Sequence, residues 1–244
     1  MKHTFKDIHS HIIPCIDDGS GSLESSLKML KTMENAGTKE LFLTPHYSMR
    51  RRYKTSSERI LSKFEEFENL CKNIGIGIRL HCGCEIEYSA DVPSLLQAGE
   101  LVTLDGTKYI LLEFAPYIEI REIIEAVRTI VQLGFIPIIA HIERYPALKN
   151  RIVDIEILKS MGAMVQTNID YIISRPIFVD DFLKTLISEN IIDFIAGDVH
   201  MNPYSYAQLN KCAKIIEKYS SEDYVNDVFY KNFDKILIPN EGEK

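Results

Sequence analysis

The sequence has 244 residues, of which 45% are hydrophobic and 26% charged, with a formal net charge of −7 at pH 7. The length and hydrophobic content predict one domain with a full core over residues 1–244, and single α/β barrels often have this size. The negative charge argues against general binding to nucleic acids or membrane surfaces, and the hydrophobic content argues against a disordered chain.

Apolar runs of strand length alternate with helix-period segments along the chain. Ser22 can cap a first helix that ends at Gly37, and Thr55-Ser56-Ser57-Glu58 matches a capping box before a second helix that ends before Gly75. A short helix and a turn are expected between residues 91 and 105. The predicted strands cover residues 5–9, 41–44, 78–86, 109–112, 136–140, 163–167 and 191–196, and the later predicted helices cover residues 119–133, 150–161, 180–190, 205–219 and 222–237.

This alternation indicates a parallel sheet with right-handed crossover connections. Because the strands are short, apolar and covered by helices, they favour a closed α/β barrel over an open sheet. Cys82-Gly83-Cys84 is interpreted as a group of small residues within the third strand. Residues 241–244 are expected to form a polar tail.

The cysteine content and the lack of long apolar runs bear on the cellular location. Five scattered cysteines do not form a disulfide framework and predict a reducing, cytoplasmic environment. No apolar run approaches the ~20 residues that span a bilayer. Charged residues also interrupt the N-terminal stretch where a secretory signal would be apolar. We therefore expect a cytoplasmic protein without membrane insertion.

Asp7-Ile8-His9-Ser10-His11 places two imidazoles two residues apart at the end of the first predicted strand. Side chains at this spacing project from one side of an extended segment, and neutral histidines are common ligands of divalent metals. Asp18 could add an oxygen ligand, and Gly19 would let the chain turn away. The pair could also be incidental histidines at the end of a surface strand, so the interpretation depends on the rest of the chain.

Metal-binding residue types recur where the predicted strands end, and α/β barrels build their active sites at that edge. His81 lies within a strand and is expected to be a hydrogen-bonded core histidine. Glu87 shares a face with Glu85 and is its nearest rival. The combined pattern predicts a multinuclear metal centre, whose members are His9, His11, His46, Glu85, Glu113, His141, Asp198 and His200.

The ordered motifs resemble the PHP (polymerase and histidinol phosphatase) superfamily over nearly the whole chain. HSHIIPCIDDG and AHIERY are similar to the bacterial manganese-dependent tyrosine-protein phosphatases of the CpsB/YwqE type, from capsule and exopolysaccharide operons. The matching motifs are Asp7-Ile8-His9-Ser10-His11 with Asp18-Gly19, Pro45-His46, Gly83-Cys84-Glu85-Ile86, Leu112-Glu113-Phe114, Ala140-His141-Ile142-Glu143-Arg144-Tyr145 and Gly197-Asp198-Val199-His200.

The resemblance implies a distorted (β/α)7 barrel with three divalent ions, manganese or alternatively iron, zinc or magnesium. It implies attack of a metal-bridging hydroxide on the phosphotyrosine of a protein, such as a bacterial tyrosine kinase that regulates capsule or exopolysaccharide synthesis. Asp18 is a better candidate than Asp17, because the family ligand directly precedes the glycine. The first ion would take His9, His11, Glu85 and Asp198; the second would take Glu85, Glu113 and His141, with Glu85 bridging; and the third would take Asp18, His46 and His200.

Arginines are expected to bind the phosphate. Arg144, three residues beyond His141, is placed to hold phosphate oxygens with paired hydrogen bonds, and a salt bridge with Glu143 or another neighbour is the alternative. The family often has a second arginine shortly after the final histidine motif, but residues 202–205 here are Asn-Pro-Tyr-Ser. The basic cluster at residues 50–52 and Lys54 could substitute, could guide anions, or could be a solvated loop.

Two other functions remain open. A PHP phosphatase of a small phosphomonoester, such as histidinol phosphate, would use the same metals and differ in the loops at residues 47–57 and 201–206. A broad mouth with exposed Tyr47, Tyr53 and Tyr204 would suit a protein substrate, and a closed pocket would suit a metabolite. A non-catalytic, metal-stabilised module is the third possibility, against which the intact ligand set argues. A thiolate phosphatase is excluded, because no cysteine has an arginine at the CX5R spacing.

Overall fold

The computed structural model describes residues 4–51, 53–174 and 180–238, and it shows an α/β fold with two parallel sheets. The first sheet contains β1 (Phe5–Asp7), β2 (Thr38–Leu43) and β4 (Arg79–Cys82), in the order β1-β2-β4. The second contains β3 (His46–Tyr47), β5 (Glu85–Glu87), β6 (Tyr109–Glu113), β7 (Ile136–Ile139), β8 (Met164–Asn168) and β9 (Phe194–Ala196), paired in that order. The predicted parallel arrangement is confirmed, because every strand pairing in both sheets is parallel.

Helices follow most of the strands, as the alternating pattern predicts. The described helices are α1 (Leu23–Ala36), α2 (Ser57–Asn73), α3 (Val92–Gln97), α4 (Ile120–Gln132), α5 (Ile152–Ser160), α6 (Ile169–Ser174), α7 (Asp181–Ser188), α8 (Leu209–Tyr219), α9 (Glu222–Asn226) and α10 (Asn232–Leu237). A π-helical turn joins α9 to α10, so the predicted helix over residues 222–237 is divided. The sequence pattern did not predict β3 or α6, whose lengths of two and six residues are too short for a clear hydrophobic period.

The helix caps show how local sequence sets the helix bounds. Ser22 caps α1 by accepting a hydrogen bond from the backbone N–H of Ser25, and Gly37 ends the helix at φ 111°, as predicted. The capping box predicted for α2 is wrong by one residue. Ser56, not Thr55, has the extended backbone of an N-cap, and its hydroxyl accepts from the N–H of Arg59.

The predicted third strand is interrupted, and a continuous closed barrel is not confirmed, because the hydrogen-bond ladders form two separate sheets. Pro45 lies between β2 and β3 and has no N–H to donate to a ladder. Gly83 lies between β4 and β5, so the predicted continuous strand over residues 78–86 becomes two. A Cβ on Gly83 would lie 2.5 Å from Leu104 Cδ2, which explains a glycine at this break.

The chain itself joins the sheets at the first junction, where β2 continues into β3 and β4 into β5, and single hydrogen bonds extend each ladder into the gap. The N–H of Gly83 donates to the carbonyl of Leu43 at 3.0 Å, and the N–H of Glu85 donates to the carbonyl of Pro45 at 3.1 Å. At the other junction, an isolated parallel bridge pairs Ser10 with Val199. The ends of neighbouring strands therefore lie side by side across both junctions between the two sheets.

The buried side chains form two clusters that alternate along the strands. Phe42, Leu111, Ile138 and Phe194 belong to the smaller cluster, together with Phe233 of α10. Their chain neighbours, such as Leu41, Leu43, Ile110 and Ile139, belong to the larger cluster against the helices. This two-residue alternation means that both faces of the strands are covered. None of the described helices is both long and apolar enough to cross a membrane.

Gly197, directly after β9, has no space for a side chain. A Cβ there would lie 2.2 Å from the Oη of Tyr206, which is buried and donates a hydrogen bond to Asp7. We expect Gly197→Ala to lower the free energy of unfolding by about 1–3 kcal/mol, measured by urea denaturation. Gly21→Ala is the matched control, since nothing lies within 4 Å of its Cβ. Equal unfolding midpoints for Gly197→Ala and the wild type would contradict this packing.

Candidate metal centre

All nine residues predicted as metal ligands lie together at the carboxyl ends of the strands. Three sets of their ligand atoms lie within 4.8 Å of one another: His11, Asp18, His46 and His200; His9, His11 and Glu85; and His46, Glu85 and Glu113. The other two residues adjoin these sets. His141 Nε2 lies 2.9 Å from Glu85 Oε1, and Asp198 Oδ1 lies 3.4 Å from His9 Nε2.

His9 and His11 point their Nε2 atoms at each other at a distance of 3.1 Å. His9 Nδ1 donates to Gln166 Oε1 at 3.2 Å, and His11 Nδ1 donates to Asp17 Oδ2 at 2.8 Å. Gln166 Oε1 also accepts the backbone N–H of His141, which fixes the orientation of the amide. In the neutral rings both Nε2 atoms therefore carry lone pairs that converge on one point.

Two carboxylates complete this convergence. Glu85 Oε2 lies 3.3 Å from each of the two Nε2 atoms, and Asp198 Oδ1 lies 3.4 Å from each of them. Nitrogen and oxygen ligands that lie about 2.0–2.2 Å from one ion are themselves about 3 Å apart when adjacent in its coordination shell. The four residues therefore fit a single divalent transition metal.

Glu85 is the most central carboxylate. Its Oε2 lies 2.8 Å from His46 Nδ1, yet neither this oxygen nor Glu113 Oε2 has a well-oriented hydrogen bond from any described residue. Both oxygens are buried, and a buried oxygen without a partner is costly unless something else binds it. Burial alone would raise the pKa of Glu85, but the surrounding histidines hold the pKa well below its usual value. Glu85 is thus an anion at the centre of the cluster.

Glu113 is a second carboxylate beside Glu85. Burial, reinforced by the charge of Glu85, raises the pKa of Glu113 to about 8, although Arg51 acts in the opposite direction. His141 Nε2 lies 3.6 Å from Glu113 Oε1, so the predicted second set of ligands also comes together. Two adjacent buried carboxylates need a compensating cation to be ionised together.

Asp18 and His200 form the solvent-exposed side of the cluster. Asp18 Oδ1 lies 3.3 Å from His46 Nε2 and 3.6 Å from His200 Nε2, and Asp18 is 44% exposed. Asp17 is instead turned inward, where its carboxylate accepts hydrogen bonds from the N–H groups of Gly19 and His46 as well as from His11. Although burial opposes ionisation, these bonds lower the pKa of Asp17 to about 2. Asp17 therefore orients a predicted ligand.

Two of the predicted ligands have a left-handed backbone two residues beyond the end of a strand. His141 has φ 33° and Asp198 has φ 48°, values that non-glycine residues rarely adopt. Such strained conformations concentrate at functional sites. The side chains of His141 and Asp198, which carry this backbone conformation, lie next to Glu85 and His9 in the cluster.

Arg144 lies at the rim, with its side chain 52% exposed, and Nη2 is 2.5 Å from Asp198 Oδ2. The salt bridge considered from the sequence thus forms with Asp198, whereas Glu143 accepts the N–H of Asn168. An exposed guanidinium anchored on a predicted metal ligand is well placed for a substrate anion.

The predicted basic cluster does not act as one unit. Arg50 pairs with Glu87, which also accepts a hydrogen bond from Ser48, so this rival of Glu85 is already bound by other partners. Arg51 enters the site and contacts Glu113 and His46. Arg52 lies outside the described residues.

His81 is a hydrogen-bonded core histidine, as predicted, with Nδ1 2.5 Å from Asp105 and Nε2 2.9 Å from Glu40. Of the tyrosines whose exposure would suit a protein substrate, Tyr204 is exposed, whereas Tyr47 and Tyr53 are half-buried. The Tyr53 ring stacks on His46, with centroids 5.8 Å apart, which explains why it is partly covered.

Sequence reasoning missed several residues that orient the predicted ligands. Gln166 binds His9 and His141, and Asn168 donates to Asp198 Oδ2 at 3.0 Å. Both face the site from β8, where two polar residues in a buried strand were the available signal. Asp7 accepts the N–H of His9 and of Gly197, and so ties the first motif to the last.

Asp17→Asn tests this orienting layer. An asparagine amide can present N–H to His11 Nδ1, which would move the proton of the ring to Nε2 and remove a ligand lone pair. We expect manganese affinity to fall about 10–100-fold in calorimetric titration. Cys15→Ser, in the same loop but exposed, is the control. Unchanged affinity in Asp17→Asn would show that Asp17 does not orient a ligand.

Comparisons with known proteins agree with this geometry. The tyrosine-protein phosphatases CpsB of Streptococcus pneumoniae and of Streptococcus agalactiae serotype V are 30% and 29% identical to this chain. Each alignment covers 95% of this chain. It covers 98% of the Streptococcus pneumoniae protein and 97% of the Streptococcus agalactiae protein. A solved structure from work on YwqE of Bacillus subtilis and CpsB of Streptococcus pneumoniae, described as metal-dependent tyrosine phosphatases, has a TM-score of 0.80 at 26% identity. It covers 90% of this chain and 89% of its own.

The match to the family is also nearly complete along the sequence. The profile described as capsular polysaccharide synthesis, CpsB/CapC, matches residues 5–238. That range contains every residue of the cluster and all of the described strands and helices. The chain therefore belongs to the CpsB/CapC family.

Proposed function

We propose that this protein is a metal-dependent protein-tyrosine phosphatase that hydrolyses phosphotyrosine. The observation that carries the proposal is the convergence of the His9 and His11 Nε2 lone pairs with Glu85 and Asp198 at spacings of 3.1–3.4 Å. Family membership and the relatives named as tyrosine-protein phosphatases support it. The substrate would be a phosphotyrosine protein, such as a tyrosine kinase that regulates capsule or exopolysaccharide synthesis.

Three divalent ions, manganese in our proposal, would be held by the three ligand sets that the sequence predicts. The buried set is His9, His11, Glu85 and Asp198; the second is Glu85, Glu113 and His141; and the third is Asp18, His46 and His200. Four ionised carboxylates against three divalent ions leave a positive centre that suits a phosphate dianion. When bound, such ions supply an activated water and charge stabilisation for phosphoryl transfer.

The residues of the chain would bind and orient the phosphate. Arg144 can donate two hydrogen bonds to phosphate oxygens while its Nη2 remains close to Asp198. The leaving tyrosinate has a parent pKa of about 10 and needs less protonation than an alkoxide. The mechanism therefore does not require a dedicated general acid.

The four buried cysteines are unsuited to be the nucleophile. Cys71, Cys82, Cys84 and Cys212 are buried. Burial raises the pKa of Cys71 to about 11 and that of Cys82 to about 12, and it also raises those of Cys84 and Cys212. Thiols with such pKa values are not thiolates at neutral pH.

The exposure of the cluster favours a protein substrate over a small phosphomonoester. Asp18 and Arg144 are about half exposed, and Tyr204, in the predicted loop that follows His200, is exposed. A phosphotyrosine projecting from a protein surface needs such an open approach. A metabolite phosphatase would enclose its substrate more fully.

We further propose that the two sheets form one distorted (β/α)7 barrel and that residues 1–244 act as a single, cytoplasmic phosphatase domain. The hydrogen bonds across the junctions at Pro45 and Gly83 support the barrel, as does the bridge between Ser10 and Val199. The smaller buried cluster would then fill its interior beneath the metal centre.

The test is a comparison of three substrates with manganese-loaded protein: a phosphotyrosine peptide, the same peptide with phosphoserine, and histidinol phosphate. We expect kcat/KM to be highest for phosphotyrosine. Turnover of histidinol phosphate without phosphotyrosine hydrolysis would establish the small-substrate alternative. Manganese binding without turnover of any substrate would indicate a non-catalytic module.

A further inference from the structure

Arg51 places a guanidinium between two of the predicted metal ligands. Its Nη1 lies 2.9 Å from His46 Nε2 and 3.2 Å from His46 Nδ1, and its Nη2 pairs with Glu113 Oε1. The side chain is 25% exposed, so it reaches from the surface into the cluster. The two contacted residues belong to different proposed ligand sets.

The loop after β3 holds Arg51 in this orientation. The backbone N–H of Arg51 donates to Ser48 Oγ at 2.9 Å, and Ser48 itself pairs with Tyr53 through an antiparallel bridge. Ser48 Oγ donates in turn to the buried Glu87. The loop is therefore tied to β5, and the side chain of Arg51 can change position while its backbone stays anchored.

The contacts of Arg51 and the contacts of a metal ion are mutually exclusive. A guanidinium has only donors, so its Nη2 engages the same oxygen of Glu113 that a metal would need, while its Nη1 lies against the ring of His46, where it obstructs an ion. Its positive charge also repels a divalent ion at that distance. In the metal-free state, by contrast, Arg51 supplies the compensating cation that the Glu85–Glu113 pair requires.

A displaced Arg51 would supply a second phosphate-binding arginine, which the segment after His200 lacks. The described chain has no arginine in the segment after His200, where Asn202 and Pro203 stand. Arg50 is already paired with Glu87, and Arg144 approaches from the side of Asp198. Between the two described arginines of the basic cluster, Arg51 is thus the one whose side chain reaches His46 and Glu113, over which a phosphate would bind.

We propose that Arg51 is displaced from His46 and Glu113 by metal binding and then binds the phosphate of the substrate opposite Arg144. This inference rests on the proposed function for its second step only. The first step concerns competition between a side chain and a metal ion, and it can be measured without any substrate.

Arg51→Gln tests both steps, because glutamine is shorter and uncharged. In calorimetric titration of chelator-stripped protein we expect Arg51→Gln to bind manganese about tenfold more tightly than the wild type, since the competing cation is gone. In titration of manganese-loaded protein with inorganic phosphate, we expect Arg51→Gln to bind about tenfold more weakly.

Arg50→Gln is the matched control, because it removes the same charge from the same loop while the contacts of Arg51 remain. We expect it to change neither affinity by more than about twofold. Equal or weaker manganese binding by Arg51→Gln would overturn the competition, and unchanged phosphate affinity would overturn the role in substrate binding. A wild type that binds manganese and phosphate but does not hydrolyse phosphotyrosine would overturn the proposed function and with it the substrate-binding step, while the manganese titration would still decide the competition step.

Discussion

Replacement of Glu85 by alanine is expected to remove more than one metal ion per chain and to lower phosphotyrosine hydrolysis by on the order of 10³-fold or more. Glu85 lies between His141 on one side and His9, His11 and His46 on the other, so its two oxygens face different ligand sets. Loss of a carboxylate in this position disturbs both sets. Mass spectrometry measures the metal content per chain after dialysis. A phosphotyrosine peptide is then used to measure the hydrolysis rate of the same preparation.

Asp18→Ala provides the comparison for Glu85→Ala. Asp18 is exposed and belongs to one proposed ligand set, so its replacement should release at most one ion and reduce the rate less. Circular dichroism checks that both variants remain folded. Loss of a single ion from Glu85→Ala, with activity retained, would contradict the bridging role.

The second large effect is expected from Arg144→Ala. Because Arg144 would contact the phosphate and not the ions, the metal content should stay at the wild-type level, while kcat/KM falls by about 10²–10³-fold. Removal of the guanidinium leaves Asp198 Oδ2 with its hydrogen bond from Asn168, which gives no reason for weaker metal binding. Mass spectrometry and steady-state kinetics on one preparation measure both quantities.

Arg151→Ala is the matched control for Arg144→Ala. Arg151 has the same fractional side-chain exposure as Arg144 but pairs with Asp154 on the helix surface. Its replacement should leave kcat/KM unchanged. Loss of metal from Arg144→Ala, or a rate equal to that of Arg151→Ala, would show that Arg144 does not act on the substrate.

The parts of the fold that were predictable from the sequence are those with a strong local signal. The first helix is such a case, because Ser22 and Gly37 mark its ends chemically and apolar residues recur between them. The break between β4 and β5 was not predictable, because it arises from the packing of Gly83 against Leu104 and from ladder bonds between distant segments. Local pattern carries no information on either.

The same distinction applies to the site. Most of the predicted ligands could be proposed because they lie at or just after the end of a predicted strand, and parallel strands bring their carboxyl ends to one edge, whereas Asp18 was preferred from the resemblance to the family motif. Gln166, Asn168 and Asp17 were missed, because their roles depend on hydrogen bonds across the fold, and a buried amide or carboxylate carries no spacing signal of its own. The position of Arg51 was equally hidden, since its contacts depend on the anchoring of Ser48 to β5.

Restoration of activity by metal in the absence of cysteine is the most direct test of the proposed chemistry. The protein would be stripped with a chelator after replacement of Cys15 by serine and of the four buried cysteines by alanine. Wild-type protein alkylated with iodoacetamide would serve as a second sample, in which the exposed Cys15 is blocked. Circular dichroism would verify that both samples are folded before manganese is added.

Hydrolysis of a phosphotyrosine peptide would then be measured against the manganese bound per chain. The metal mechanism predicts a rate near zero in the stripped protein and recovery to at least about half of the untreated rate as manganese fills the His9, His11, Glu85 and Asp198 set and its neighbours. The metal mechanism would be contradicted if the cysteine-free protein were folded and loaded with manganese but inactive, while the untreated wild type was active.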